Sequence, residues 1–279
     1  MLNFQDKVIP LDVWVSQFVD WLVEGYRGFF QIIKWPVEVT LSGFEGVLQA
    51  IHPFIIIAIV ALIAWRVSSI KLGIFSVISL VFIGLLGLWP DTMVTLAMVF
   101  SSVFFCIIAG IPLGIWAGRN DNFEASIRPV LDAMQTTPPF VYLVPIVMLF
   151  SVGNVAGVLA TIIFALPPII RLTSLGLRQV HPELIEAALA FGATNGQVLR
   201  KVQIPLALPT IMAGLNQTIM MALSMVVIAA LIGAGGLGAP VILGLNTLDI
   251  GRAVIGGLSI VLMAIILDRI TQAMATKKE

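Results

Sequence analysis

Charged side chains are scarce in this chain: they make up 11% of its 279 residues, where a soluble domain carries roughly 25%. Cysteine is rarer still, with Cys106 alone. An intrachain disulfide is therefore excluded, and a lone thiol inside an apolar stretch reads as packing. The two histidines, His52 and His181, stand far apart, and there is no His-Glu-x-x-His. No Gly-x-x-x-x-Gly-Lys-Ser/Thr occurs, so the chain has no recognisable cradle for nucleotide phosphates. No apolar stretch carries the acidic or Ser/His pair of an intramembrane hydrolase. Catalytic and metal-binding residues are accordingly not expected. Lys and Arg balance Asp and Glu, 15 against 15, so charge gives no support to a nucleic-acid partner. Met1 to Asp12 lacks a basic stretch followed by an apolar run, and a cleavable signal peptide is not expected.

What is abundant is hydrocarbon. The chain is 59% hydrophobic with a mean hydropathy of +1.07, and uncharged stretches run over 46–65, 72–90, 92–118, 133–170, 202–248 and 253–267. Crossing a bilayer takes about 20 apolar residues, and a central charge costs on the order of 3 kcal/mol on insertion scales. The expectation is an all-α integral membrane protein with about seven transmembrane helices, near 52–68, 72–89, 93–118, 138–153, 155–171, 207–233 and 252–269. Gly153-Asn154 divides the 133–170 stretch. Gly233-Ala234-Gly235-Gly236-Leu237-Gly238 ends the sixth span, and the ten or so residues that follow rise only about 15 Å. They read as a half-buried or re-entrant piece.

Seven spans place Arg66, Lys71, Arg119, Arg128, Arg171, Arg178, Arg200, Lys201, Arg269, Lys277 and Lys278 on one side. Lys7, Arg27, Lys34 and Arg252 fall on the other. By the positive-inside rule the C-terminus is cytoplasmic and the N-terminus outside. In residues 1–50, Trp14, Phe18, Trp21, Leu22, Gly25, Phe29, Ile32 and Ile33 recur at helical spacing between Asp12, Asp20, Glu24 and Arg27. This predicts an amphipathic segment in the outer interface, with a similar piece from Val37 to Leu48. Trp35, Trp65, Trp89 and Trp116 flank spans as interfacial anchors. A tryptophan cage for a cation is the less favoured reading of them.

One polar island interrupts the apolar chain, from Thr173 to Lys201. Pro182 at a first helical position and Glu183 at its positive end start a helix well. Leu184, Ile185, Ala187, Ala188 and Phe191 form the body, and Gly192 suits a left-handed stop. Small residues keep one side thin, as a docking helix would need; an ordinary interfacial loop helix is the plainer alternative. Charges gather at span ends, whereas an ion-coupled secondary transporter more often has ionisable groups inside its spans. That class remains the competing reading.

The full spacing carries more. Glu186-Ala187-Ala188, Gly192-Ala193 and Lys201-Val202-Gln203-Ile204-Pro205-Leu206-Ala207 resemble the EAA loop of ABC importer permeases. Asp132-Ala133-Met134-Gln135-Thr136-Thr137-Pro138-Pro139-Phe140-Val141-Tyr142 is similar to the glycine betaine/proline betaine branch. So are Phe164-Ala165-Leu166-Pro167-Pro168-Ile169-Ile170-Arg171, Asn216 through Val227, and Gly235-Gly236-Leu237-Gly238. Gln203 departs mildly, since many relatives have an aliphatic residue there. The resemblance spans about 90–272. Methionine and other small importers share the loop and a similar five-span core but generally lack the two extra spans and the amphipathic N-terminal segment, and choline or carnitine permeases are also shorter.

The resemblance implies a type I ABC importer transmembrane domain, dividing as 1–50 interfacial segment, 51–90 two accessory helices, 91–272 core with cytoplasmic loop 172–206, and 273–279 tail. It implies import of glycine betaine/proline betaine-type compatible solutes for osmoprotection, across a bacterial cell membrane. It implies no cofactor in this chain, with ATP and Mg on a partner ATPase. The other partners are an extracellular or lipid-anchored substrate-binding protein, a second copy of the chain, and membrane lipid. Glu183, Glu186, Ala187, Ala188, Gly192 and Pro205 become the ATPase-docking coupling helix and its flank; Arg200 and Lys201 either steer the loop or are merely solvated. For a pathway lining or gate the candidates are Thr136, Thr137 and Pro138, where the helix should break, with Asn216, Gln217, Ser224 and Met225. Interhelical hydrogen bonding is an equal reading of the last group. Gly110, Gly114 and Gly118 read as close helix packing.

Overall fold

A computed structural model describes residues 10–276; Lys7, Lys277 and Lys278 lie outside the described residues, as does the end of the 273–279 tail. Every regular element among them is helical. Four helices are long and apolar enough to cross a bilayer by themselves: α4 (Trp89–Arg119), α7 (Asn154–Arg178), α10 (Ile204–Ala230, continuous with the turns before it) and α12 (Ile250–Thr276). The other three expected spans form shorter helices: α2 (Pro53–Val67) has 15 residues, α3 (Ile70–Leu85) has 16 and α6 (Pro139–Phe150) has 12. At 1.5 Å per residue α6 is only about 18 Å long. It joins α5 (Asp121–Thr136) across a 96° bend, and the second half of α1 (Leu11–Ala50) joins α2 across 104°; counting each bent pair as one crossing gives up to six, with α3 a further, shorter apolar helix outside that count. The breakers are local. Pro53 and Pro139 sit at helix starts, and Ser69 caps α3 by accepting a hydrogen bond from the Leu72 amide at 3.3 Å.

The core is α4, α7 and α10. Gly110, Gly114 and Gly118 of α4 meet Ile169, Thr173 and Leu177 of α7 in register, so the two helices run parallel. A Cβ on Gly114 would stand 2.8 Å from the Ile170 carbonyl oxygen, so only glycine permits this approach. α10 runs back antiparallel: Gly176 faces Ala207 and Thr210, Gly214 faces Pro168 and Ile169, and Thr218 Oγ1 donates to the Ala165 carbonyl at 3.0 Å. α12 returns beside α10. The C-terminal ends of α4, α7 and α12 and the start of α10 thus share one end of the bundle.

α1 kinks at Tyr26, whose φ/ψ of −123°/19° leave the helical region. Beyond the kink it packs on protein: Val37 and Leu41 are buried against Ala97, Met98, Val158, Ala229 and Ala234. The Val37–Leu48 piece, expected at the interface like the segment before it, is therefore core-facing on one side. Before the kink Trp14, Phe18 and Trp21 are exposed. α11 (Gly238–Thr247) is a ten-residue helix folded between α10 and α12, with Gly238 against the Val226 carbonyl and Gly244 against Ala253. The glycine run before it turns with positive φ at Gly233 and Gly236. It is held by the Gly235 amide on Asn154 Oδ1 (2.7 Å) and the Leu237 amide on Thr95 Oγ1 (2.8 Å).

Candidate functional site

The polar island folds as α8 (Pro182–Ala190), with Pro182 in its first turn and no buried residue of its own. Its end is a Schellman closure: the Ala193 amide donates to the Ala188 carbonyl (3.0 Å) and the Gly192 amide to Leu189 (2.9 Å). Gly192 makes the closure with φ +82°, the left-handed conformation that favours glycine. A Cβ at Gly192 would meet nothing within 4 Å. Gly192 thus lies just past the helix, and within this chain its constraint is backbone conformation. Glu183, Glu186 and Ala187 share the outward face by helical spacing, and Ala188 is half-buried. Phe191 projects at the tip, 93% exposed. Sequence reasoning placed Phe191 in the helix body; its position one residue before the closing glycine is the signal that it projects.

The rest of the loop fixes α8 to the bundle. α9 (Asn195–Val198) begins with a capping box in which the Thr194 amide donates to Gln197 Oε1 at 2.8 Å. A π-helical turn follows over Leu199–Gln203, where the Ile204 amide reaches back five residues to the Leu199 carbonyl. Pro205 has no amide hydrogen to give the Lys201 carbonyl, and such a missing donor favours the wider turn. Pro205 is thus on α10, separate from the α8 residues, and shapes the turn between them. Val198 is buried, and Leu199 and Ile204 pack on Leu177, Ala207 and Ile211.

Thr136, Thr137 and Pro138 form the bend. Thr136 Oγ1 donates to the Asp132 carbonyl (2.9 Å), and Thr137 and Pro138 are extended, with ψ of 124° and 134°. α5 has one buried residue, Leu131. It is held largely by charge: Arg171 Nη2 to Asp132 Oδ1 at 2.5 Å, Arg178 Nη1 to Asp121 at 2.7 Å and Arg178 Nη2 to Glu124 at 3.0 Å. Arg178 also donates to the Ala117 carbonyl (2.7 Å), and Trp116 stacks on Phe123 with centroids 3.8 Å apart. Glu124, Asp132, Arg171 and Arg178 line a cleft of about 330 Å³ between α5 and α7. The sequence showed the arginines only as charge asymmetry; their partners are remote along the chain.

The four α10 candidates separate into two kinds. Asn216 Nδ2 donates to Asp268 Oδ1 at 2.9 Å, and its Oδ1 accepts from Thr271 Oγ1, so Asn216 ties α10 to α12. Met225 is 0% exposed among Leu143, Ile146, Phe150, Ala156 and Ala160. Asn216 is half-buried and Met225 is closed off entirely. Gln217 and Ser224, seven residues apart, are exposed on the same side, and Gln135 of α5 reaches Met221 near them, Nε2 to Sδ at 3.9 Å. Among the described residues no cluster of His, Cys, Asp and Glu can hold a metal ion.

Known proteins are similar to this chain in sequence and in fold. The chain is 56% identical over 97% of its length to the glycine betaine/proline betaine transport system permease protein ProW of Escherichia coli (strain K12), covering 76% of that protein. It is 45% identical to the glycine betaine transport system permease protein OpuAB of Bacillus subtilis (strain 168), covering 97% of this chain and 96% of that one. Among solved structures, the inward-facing MetNI methionine ABC transporter has a chain 26% identical, with a TM-score of 0.57, covering 64% of this chain and 92% of that one. Residues 110–279 match the model of the binding-protein-dependent transport system inner membrane component. The chain therefore belongs to the family of inner-membrane permease components of binding-protein-dependent ABC transport systems.

Proposed function

We propose that this chain is the permease subunit of an ABC importer for glycine betaine, proline betaine and similar compatible solutes. The near full-length identity to permeases named for those substrates carries the reading. The methionine transporter likeness covers a smaller share of the chain and reflects the shared core. Two copies form the pathway, because one chain presents only half of a two-fold channel. Two ATPase subunits bind on the cytoplasmic side and a substrate-binding protein docks outside, with the C-terminus cytoplasmic and the N-terminus outside.

In this reading α8 is the coupling helix. Glu183, Glu186, Ala187 and Ala188 enter a groove on the ATPase, and Gly192 sets the angle at which the chain leaves it. ATP binding draws the ATPases together and moves both α8 helices, switching the pathway between inward- and outward-facing. Gln217 and Ser224, with Thr136 to Pro138 at the bend, face the pathway; Asn216 and Met225 support it from behind. Substrate choice rests with the binding protein, whose aromatic residues suit a methylated ammonium.

Uptake by proteoliposomes containing the complete complex tests the reading. ATP-dependent accumulation of glycine betaine in preference to choline, carnitine and methionine is expected. Accumulation driven by an ion gradient without ATP and ATPase would overturn the importer reading, and preference for methionine would overturn the substrate.

A further inference from the structure

The seam between the accessory helices and the core contains a cavity of about 230 Å³ bounded by α1, α2, α3, α4 and α12. Its lining is wholly apolar, with Leu48 and Val60 on the accessory side and Leu96, Phe100, Met263 and Leu267 on the core side. Chemistry narrows the occupant. A buried water needs two to four polar partners, and an ion needs more, whereas apolar cavities of roughly 150 Å³ take up benzene or xenon.

The opening identifies the source. Ile59 and Ile63 line the cavity, yet they are 46% and 42% exposed. One and two helical turns before Ile63, Ile59 and Ile55 occupy the same stripe of α2, and Ile55 is also exposed. The cavity is therefore continuous with a flank of α2 that faces hydrocarbon. Its far wall is interior, since Met263 is 2% exposed. A bilayer around this exposed apolar flank would supply flexible apolar chains at high concentration.

We propose that this cavity is a binding site for one acyl chain of a bilayer phospholipid, which enters past Ile59 and Ile63 and completes the packing between α2 and α12. The site reads the chain by its shape and apolarity. The lipid thereby becomes part of the joint that fastens the α2–α3 hairpin to the permease core.

Photolabelling tests this directly. The full-length protein in membrane vesicles is exposed to phospholipid bearing a diazirine along one tail, irradiated, and digested for peptide mass spectrometry. Label on Met263 and Phe100, in addition to outward-facing Ile55, is the expected result. Val60→Phe narrows the cavity and should reduce label on Met263 at least fivefold while leaving Ile55 unchanged. If that variant fails to assemble, Ile63→Trp at the exposed mouth should block entry in the same way. Label confined to Ile55 and other outward positions in the unsubstituted protein overturns the proposal. So does label on Met263 that both substitutions leave undiminished.

Discussion

Gly192 offers a test in which two roles rank the same substitutions oppositely. Its φ of +82° closes α8, and a Cβ there would touch nothing within 4 Å. Within the chain, a side chain at this position costs conformation and not space. An L residue held in the left-handed region costs roughly 1–2 kcal/mol, a factor of about 5–30 in an equilibrium. Asn enters that region several-fold more readily than other residues, and β-branched residues least readily. If the closed form of α8 is what the ATPase binds, its affinity for the permease should fall little with Gly192→Asn. It should fall about fivefold with Gly192→Ala and by more than tenfold with Gly192→Val. The assay is titration of the ATPase onto permease in lipid nanodiscs, with ATP-driven uptake measured in parallel. A steric role gives the order of size instead, with Ala closest to the wild type and Asn worse. That order, or three variants indistinguishable from the wild type, would refute the conformational argument.

Phe191→Ala removes a side chain that is 93% exposed, so thermal stability should stay within about 0.5 kcal/mol. ATPase affinity, by contrast, should fall by about 2 kcal/mol or more if the ring fills a central pocket; unchanged affinity excludes it as an anchor. Asn216→Leu strips the hydrogen bonds to Asp268 and Thr271 and should cost roughly 1–3 kcal/mol in unfolding experiments. Ser224→Ala loses only an exposed bond to the Met220 carbonyl of its own helix and should stay within about 0.5 kcal/mol; equal losses would contradict the separation of the two sites. Amides of 121–136 should exchange with deuterium faster than those of α7, and faster still at 0.5 M salt on the order of a 4–5 Å Debye length. Equal protection of α5 and α7 would show that the exposed ion pairs, each worth about 0–1 kcal/mol, are not its main attachment.

The parts that sequence reading recovered are those fixed by local chemistry. Pro182 and Gly192 bound α8 because a missing amide and a left-handed φ are properties of single residues. Gly153-Asn154 divided the 133–170 stretch for the same reason, although the bond from the Gly235 amide to Asn154 Oδ1 joins groups 81 residues apart and left no local trace. Span number was less legible because an uncharged stretch records apolarity but not helix length: the twelve residues of α6 and the larger part of the long helix α7 lie in that one stretch. Amphipathic spacing in α1 was equally silent about its neighbour, since Val37 and Leu41 show the same pattern whether they meet lipid or Ala97 and Met98. Asn216 and Gln217 are adjacent and alike in chemistry. About 100° of helical rotation separates them, and only the position of α12 decides which is tied and which is open. The ion pairs were hidden for a third reason, because 39 residues separate Arg171 from Asp132 and 57 separate Arg178 from Asp121.

The packing also dictates where a push on α8 is felt. Its two ends are set by Val180 beyond α7 and by Val198 before α10, both buried. Those two helices are locked together: Cβ atoms added at Gly176 and Gly214 would stand 3.1 Å from the Ala207 carbonyl oxygen and 3.3 Å from that of Pro168. Contacts this close involve backbone and the Cβ atoms of Thr210 and Leu172, which leave little room for sliding. Helix α4 is joined to α7 in the same way through Gly114. A displacement of α8 is expected to reach α4, α7 and α10 together. The α5 attachment is of another kind, with one buried leucine and solvent-facing charges whose geometry tolerates movement. Relative motion should accumulate where the stiff body meets the loose one, at Thr137 and Pro138. Their extended backbone makes no helical hydrogen bond across the 96° bend, so the angle can change without breaking one. A hinge at this bend is the expectation that follows, with Gln135 of α5 reaching Met221 between the exposed Gln217 and Ser224 of α10.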